Sequence, residues 1–143
     1  MDILVYGAGV VGSQYAARLR QAGHMVTLLA RGERAVELRE HGIVLEAVNT
    51  GRVETVHVGV KEKLEEDDPY DLVIVAMRSN QVSSVLPELA ANHHSPNVLF
   101  LGNNLSGSEA LTRAIGHDRV ILGFGGMGGL PLVHAFGTAL IDN

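Results

Sequence analysis

The stretch "ILVYGAGVVGSQYAARLRQAG", residues 3–23, constrains the fold of this chain more than any other: a short apolar run ends on glycines at 7, 9 and 12, and a helical pattern follows at once. Ile3 to Tyr6 read as a strand. Val11, Tyr15, Leu19 and Ala22 recur at helical spacing, with Gln14, Arg18 and Gln21 on the other side and Gly23 placed to stop the helix. A strand that turns into a helix through G-x-G-x-x-G asks each glycine for a different thing. Gly7 permits the tight turn, Gly9 lets the backbone approach a pyrophosphate, and Gly12 lets the helix pack close to the strand. Backbone N–H groups around Val10 and Val11, at the positive end of the helix, would receive the phosphate charge. Gly7, Ala8, Gly9, Val10, Val11 and Gly12 are therefore the candidate dinucleotide-binding loop.

The rest of the chain repeats the alternation. "VTLLA" (26–30), "LVIVAM" (72–77), "VLFL" (98–101) and "VILGF" (120–124) are compact runs rich in Val, Ile and Leu, as expected of parallel strands buried on both faces. Helices are predicted over about 33–41, with Gly42 as the stop, and over about 80–91, interrupted or restarted at Pro87. Another opens at "SGSE", where Ser106 and Glu109 have capping-box spacing, and ends near Gly116. "IVLEAV" and "RVETVHV" flank "NTG", the signal of an antiparallel hairpin inserted after the first βαβ unit. "KEKLEEDDPYD" reads as a solvated turn or short helix edge, and the glycine-rich tail from Gly123 as a flexible loop plus a final strand. The fold class expected is α/β, a Rossmann-like doubly wound and mostly parallel sheet with an inserted antiparallel hairpin, forming one domain over 1–143. Ligands should sit outside the carboxyl ends of the strands.

Composition narrows the partners. A formal net charge of −5 and a pI near 5.7 argue against nucleic acid and anionic membranes, which are bound through clustered Lys and Arg. With no Cys there is no disulfide framework, thiolate nucleophile or Cys-based metal site. None of the seven His, the His93-His94 pair included, has metal-ligand spacing. "MDILVYGAG" reads as neither signal peptide nor membrane span, and a cytoplasmic location is expected.

The charge after the second strand selects between dinucleotides. An NAD site normally presents Asp or Glu about 20 residues past the glycines to hold the ribose hydroxyls, whereas an NADP site places a cation near the 2′-phosphate. Arg31 lies 19 residues after Gly12, at the end of "VTLLA", with Arg34 one helical turn on. A guanidinium can grip a phosphate bidentately, worth roughly 1.5–3 kcal/mol or about 10- to 100-fold in affinity. Glu33 is the competing candidate for a ribose-binding acid, but its place suits the first turn of a helix. The expected cofactor is NADP.

"ILVYGAGVVGSQYAARLRQAGHMVTLLARGE", "DLVIVAMRSNQ" and "VLFLGNNLSGSEAL" together resemble the N-terminal domain of the ketopantoate reductase family, NADPH-dependent reductases of 2-keto acids such as 2-dehydropantoate. The likeness runs over most of 1–122. It implies that Gly7 to Gly12 hold the pyrophosphate and Arg31 the 2′-phosphate. The family's Lys and Gln after the fourth strand correspond to Arg78 and Gln81, and its Asn near the nicotinamide and substrate to Asn103. The family's Asn-Gly-x-Gly reads Asn103, Asn104, Leu105, Ser106 here, so both glycines are replaced.

Hydride delivery to a ketone needs a group that protonates or polarises the developing alkoxide. In the family a Lys and a Glu from a helical C-terminal domain supply it, and this chain is expected to stop before such a domain could begin. The only lysines, Lys61 and Lys63, lie in the polar segment away from the expected crevice. The chain is thus expected to bind NADP(H) without reducing a 2-keto acid by itself. Two other readings stay open at this level: a nucleotide-sensing regulatory Rossmann module of a transporter or channel, and a truncated domain of another NAD(P)-dependent dehydrogenase.

Overall fold

The computed structural model describes residues 1–102, 107–126, 129–131 and 137–140. Six strands form the main sheet: β1 (Asp2–Tyr6), β2 (Met25–Leu29), β5 (Gly59–Lys61), β6 (Leu72–Val75), β7 (Val98–Leu101) and β8 (Val120–Gly123). All pair in parallel, in the order β5-β2-β1-β6-β7-β8. The chain therefore winds outward to β5, returns across β1, and winds the other way, so the strand order reverses between β1 and β6. At that reversal the loops after the two strands diverge to opposite faces and leave a crevice.

The central strand β1 is buried on both faces because both faces are covered, whereas the edge strands β5 and β8 are not: Ile121 and Leu122 of β8, expected to be buried on both faces, are exposed at the sheet's open edge. Ile3 and Val5 of β1 point to a cluster with Ala16 and Ala17 of α1 (Val10–Gln21) and Ala35 and Leu38 of α2 (Glu33–His41). Leu4 and Tyr6 point to the opposite cluster, with Val85 and Leu89 of α3 (Ser79–Ala91) and Leu111 and Ile115 of α4 (Glu109–Ile115). Every one of these strand residues is at most 2% exposed, so the unbroken apolar runs follow from a sheet between two helical layers.

A second sheet, in the order β4-β3-β10-β9, lies outside the main one. The hairpin expected around "NTG" is there as β3 (Ile43–Ala47) against antiparallel β4 (Val53–Val56), with Ile43 opposite Val56. What the sequence did not suggest is that β10 (Gly137–Leu140) joins β3 in parallel and carries β9 (Gly129–Pro131) on its far side.

This sheet changes the environment of α1, which packs against both sheets. The helix was expected to expose Gln14, Arg18 and Gln21. Instead Gln14 is fully buried, and the closest-packed face consists of Gly12, Ser13, Ala16 and Ala17. Small residues there allow close approach to β1, while Arg18 and Gln21 donate to the Glu54 carboxylate of β4 at 2.7 and 3.0 Å. Burial raises the proton affinity of Glu54, but the bonds from Gln21 and Arg18 and the Arg18 charge outweigh it, and its pKa lies below the ordinary value.

Three other expectations need correction. The segment from Lys61 to Asp71 is not merely solvated: Lys61 belongs to β5 and pairs with Asp68, while Leu64 and Tyr70 are buried. Asn92 and Ser95, both fully buried, stitch it down. The Asn92 amide donates to the carbonyls of Glu65 and Asp68 at 2.8 and 2.9 Å, and the Ser95 hydroxyl to that of Asp68 at 3.1 Å. Pro87 neither breaks nor restarts α3, which runs through it. The N-cap of α4 is Ser108, with no side-chain capping bond, and Ser106 lies outside the described residues.

Candidate functional site

A cleft of about 1020 Å³ opens at the carboxyl ends of β1, β2, β6 and β7. Its floor is the glycine loop, Gly7 to Val11. One wall carries Arg31 and Arg34 from the end of β2 and the start of α2. The other carries Met77, Arg78, Gln81 and Ser84 from the β6–α3 junction, and Leu101, Gly102 and Gly125 close the far end. Three arginines and no carboxylate line it among the described residues.

The three glycines of the loop separate by physical cause. Gly7 has φ +115°, and a Cβ there would lie 2.5 Å from the Ala76 carbonyl oxygen, so both conformation and space demand glycine. A Cβ on Gly12 would lie 1.8 Å from the Gly7 carbonyl oxygen. Gly9 is different: its φ is −77° and a Cβ there would meet nothing within 4 Å. The fold itself does not need glycine at 9. The space a side chain would fill is open cleft at the start of α1, where Gly9 is the N-cap, no side chain caps the helix and no acid occupies the first turn. The leading N–H groups of the helix thus face the cleft as an uncapped positive end, a place suited to a phosphate.

Arg31 is the end-of-strand residue. Its Nε donates to the Glu62 carbonyl at 3.1 Å, and its Nη2 to the Tyr6 hydroxyl at 3.0 Å and the Glu88 carboxylate at 3.2 Å. The Tyr6 hydroxyl in turn donates to Glu88, and the Leu64 amide donates to the other Glu88 oxygen at 2.6 Å. Burial, then the bond to Glu88 and its charge, hold the Tyr6 phenol well above its ordinary pKa of 10.0, against a smaller opposite pull from Arg31. Arg34 serves the loop: Nε donates to the Ala8 carbonyl at 3.2 Å and Nη2 to the Ser13 hydroxyl at 3.1 Å, while Nη1 pairs with Glu37 at 2.7 Å. Glu33, the competing acid, is the exposed first residue of α2 and does not line the cleft.

Of the candidate residues, Gly7, Ala8, Gly9, Val10, Val11, Arg31, Arg78 and Gln81 come together at this cleft, and Gly12 packs directly beneath it. Arg78 is the N-cap of α3, and the backbone N–H of Gln81 donates to its carbonyl at 2.8 Å. Asn103 lies outside the described residues. Neither lysine reaches the cleft: Lys61 pairs with Asp68, and Lys63 with Glu65 at 3.2 Å. Sequence reasoning passed over Tyr6 and Glu88. Tyr6 carried a signal, since it is the last residue of a strand in a fold that binds ligands at strand ends; Glu88, inside a helix, carried none.

The strand order, the two helical layers and the cleft at the reversal define a Rossmann-like α/β domain. Residues 3–130 match the family model described as ketopantoate reductase PanE/ApbA. The chain belongs to that family. An uncharacterized oxidoreductase, YkpB of Bacillus subtilis, is 31% identical over 129 residues, covering 86% of this chain and 40% of that protein. The 2-dehydropantoate 2-reductase of Lactococcus lactis is 26% identical over 128 residues, with the same shares. The crystal structure of 2-dehydropantoate 2-reductase from Geobacter metallireducens superposes with a TM-score of 0.82 at 26% identity, over 100% of this chain and 47% of that one. A ternary structure of D-mandelate dehydrogenase with NADH and anilino(oxo)acetate shares the fold, with a TM-score of 0.81 at 22% identity, over 99% of this chain and 46% of that one. The chain thus spans less than half the length of these relatives. Among the described residues no helix is long and apolar enough to cross a membrane, and no group of His, Asp or Glu is arranged to hold a metal ion.

Proposed function

We propose that this chain binds NADP(H) and is the cofactor-binding part of a reductase acting on a 2-keto acid such as 2-dehydropantoate, working in the cytoplasm. One observation carries the cofactor reading: among the described residues three arginines and no acid line the cleft, with Arg31 at the strand end where an NAD site would place a carboxylate. Gly9 and the uncapped start of α1 receive the pyrophosphate, Arg31 the 2′-phosphate, and Arg78 and Gln81 face the dinucleotide from the opposite wall. The bound nicotinamide supplies the hydride. The chain's own residues bind and orient it.

Reduction of the ketone also requires a proton donor at the carbonyl. With both lysines salt-bridged away from the cleft, the residues present leave that part to the remainder of the longer family architecture. The relatives named as 2-dehydropantoate 2-reductases support this substrate class. The 143 residues then make up one dinucleotide-binding domain whose turnover without its catalytic complement is negligible.

Calorimetric titration with NADPH and NADH, on the wild type and on Arg31→Ala, tests the cofactor reading. NADPH is expected to bind more tightly, and Arg31→Ala to weaken it by about 10- to 100-fold while leaving NADH nearly unchanged. Equal affinity for both cofactors in the wild type removes the NADP assignment. Rapid reduction of 2-dehydropantoate by the purified chain removes the division of labour.

A further inference from the structure

Arg31 is not a free cation. Besides lining the nucleotide cleft, it lines a neighbouring hollow of about 390 Å³, walled also by Glu62, Lys63, Leu64 and Glu88. Glu88 belongs to the hollow and not to the cleft, so the guanidinium stands between the acid and the nucleotide site. The two partners are held unequally: the Arg31 side chain is 63% exposed, whereas that of Glu88 is 17% exposed. The acid is also fastened by donors from two other elements, the Leu64 amide behind β5 and the Tyr6 hydroxyl at the end of β1. It cannot easily follow the arginine toward a ligand.

We infer that Glu88 is a specificity-setting counter-ion, a fixed carboxylate that partly neutralises Arg31 from behind and so narrows the affinity gap between NADPH and NADH. The inference rests on the NADP(H) reading above. A 2′-phosphate arriving at Arg31 meets an ion pair of zero net charge with a carboxylate a few ångströms further back. NADH, with a neutral ribose hydroxyl at that place, is indifferent to the pair's net charge. Glu88 thus acts as a positioning and charge-balancing residue through Arg31, with no contact of its own to the cofactor. Tyr6 helps to fix it, since its hydroxyl donates to Glu88 and accepts from Arg31.

The test is the ratio of NADPH to NADH dissociation constants, measured by calorimetry on the wild type, Glu88→Gln, Tyr6→Phe, Arg31→Ala and the Arg31→Ala/Glu88→Gln pair. Glu88→Gln removes the charge and keeps the size; NADPH is expected to bind about 3- to 10-fold more tightly, given the small energies of partly exposed ion pairs and the double charge of the phosphate, with NADH changed less than about twofold. Tyr6→Phe leaves the full carboxylate charge on Arg31, so the preference should stay at or below that of the wild type. In the double variant the gain from Glu88→Gln should vanish. A purely structural role for Glu88 would weaken both cofactors together and leave the ratio alone. If the wild type prefers NADPH and loses that preference with Arg31→Ala, yet Glu88→Gln does not raise it, the counter-ion role is overturned while the cofactor assignment stands. A wild type with no preference for NADPH overturns both.

Discussion

Gly12 packs so tightly on Gly7 that a methyl group on its Cα would lie 1.8 Å from the Gly7 carbonyl oxygen, whereas a methyl on Gly9 would meet nothing within 4 Å. Two of the three fingerprint glycines are therefore required by the fold, and the third is not. Gly12→Ala forces the strand and helix apart and is expected to cost about 1–3 kcal/mol or more of stability. Gly9→Ala is expected to cost under about 1 kcal/mol, because its backbone and surroundings accept a side chain. Denaturant unfolding should separate the two, and dinucleotide titration should show Gly9→Ala losing affinity while still folded. A Gly9→Ala protein that binds as the wild type does would mean that no ligand backbone comes close there.

Arg34 and Arg31 line the same cleft but should fail differently. Arg34 reaches back to the Ala8 carbonyl and the Ser13 hydroxyl, so it braces the glycine loop proposed to hold the pyrophosphate of either dinucleotide. Loss of those bonds in Arg34→Ala, each worth about 1 kcal/mol, is expected to weaken NADPH and NADH by a similar several-fold factor. A selective loss of NADPH would show that Arg34, not the loop it braces, contacts the 2′-phosphate.

Asn92 is the buried stitch between α3 and the acidic segment. Its amide satisfies the carbonyls of Glu65 and Asp68, and its carbonyl accepts from the Ser95 amide at 3.0 Å. Asn92→Ala leaves buried polar groups without partners and should cost about 1–3 kcal/mol in urea unfolding. Asp67→Ala, an exposed neighbour with no such tie, provides the reference and should change stability little.

Tyr6 gives the fold an alkaline limit. Its phenol is held above its ordinary pKa of 10.0, so the folded state keeps a proton that the unfolded chain releases. That contribution is whole below pH 10.0 and is lost as pH rises beyond it. The stability of the wild type should therefore fall relative to Tyr6→Phe above that point, and the two should run parallel below it. Phenolate absorbance of the folded protein should also lag, since burial raises the Tyr70 phenol as well.

The glycine loop, the alternation of strand and helix and the hairpin around "NTG" were legible because each rests on neighbours in the chain: turn chemistry, apolar period and stop residues act within a few positions. Arg31 was legible for the same reason, as the residue that follows a strand of readable length. The three-residue strand β5 was not, since it carries only Gly59, Val60 and Lys61 and exists because β2 offers an open edge. The reading of α1 failed more instructively. Its apparent polar face holds Gln14, which is fully buried, because a second sheet covers the side that the periodicity assigns to water.

By itself the sequence determined that a helix begins on a glycine turn with its positive end free, and that a cation follows the next strand. Those are short-range facts about backbone conformation and charge. Only the tertiary structure decided what surrounds them. It brings Glu88 to Arg31 across 57 residues of sequence and fastens the acid with Tyr6 and Leu64. It also keeps Glu33 out of the cleft despite its nearness in the chain. The strength of a charge depends on what stands within a few ångströms of it, and that distance is set by packing rather than by position along the chain.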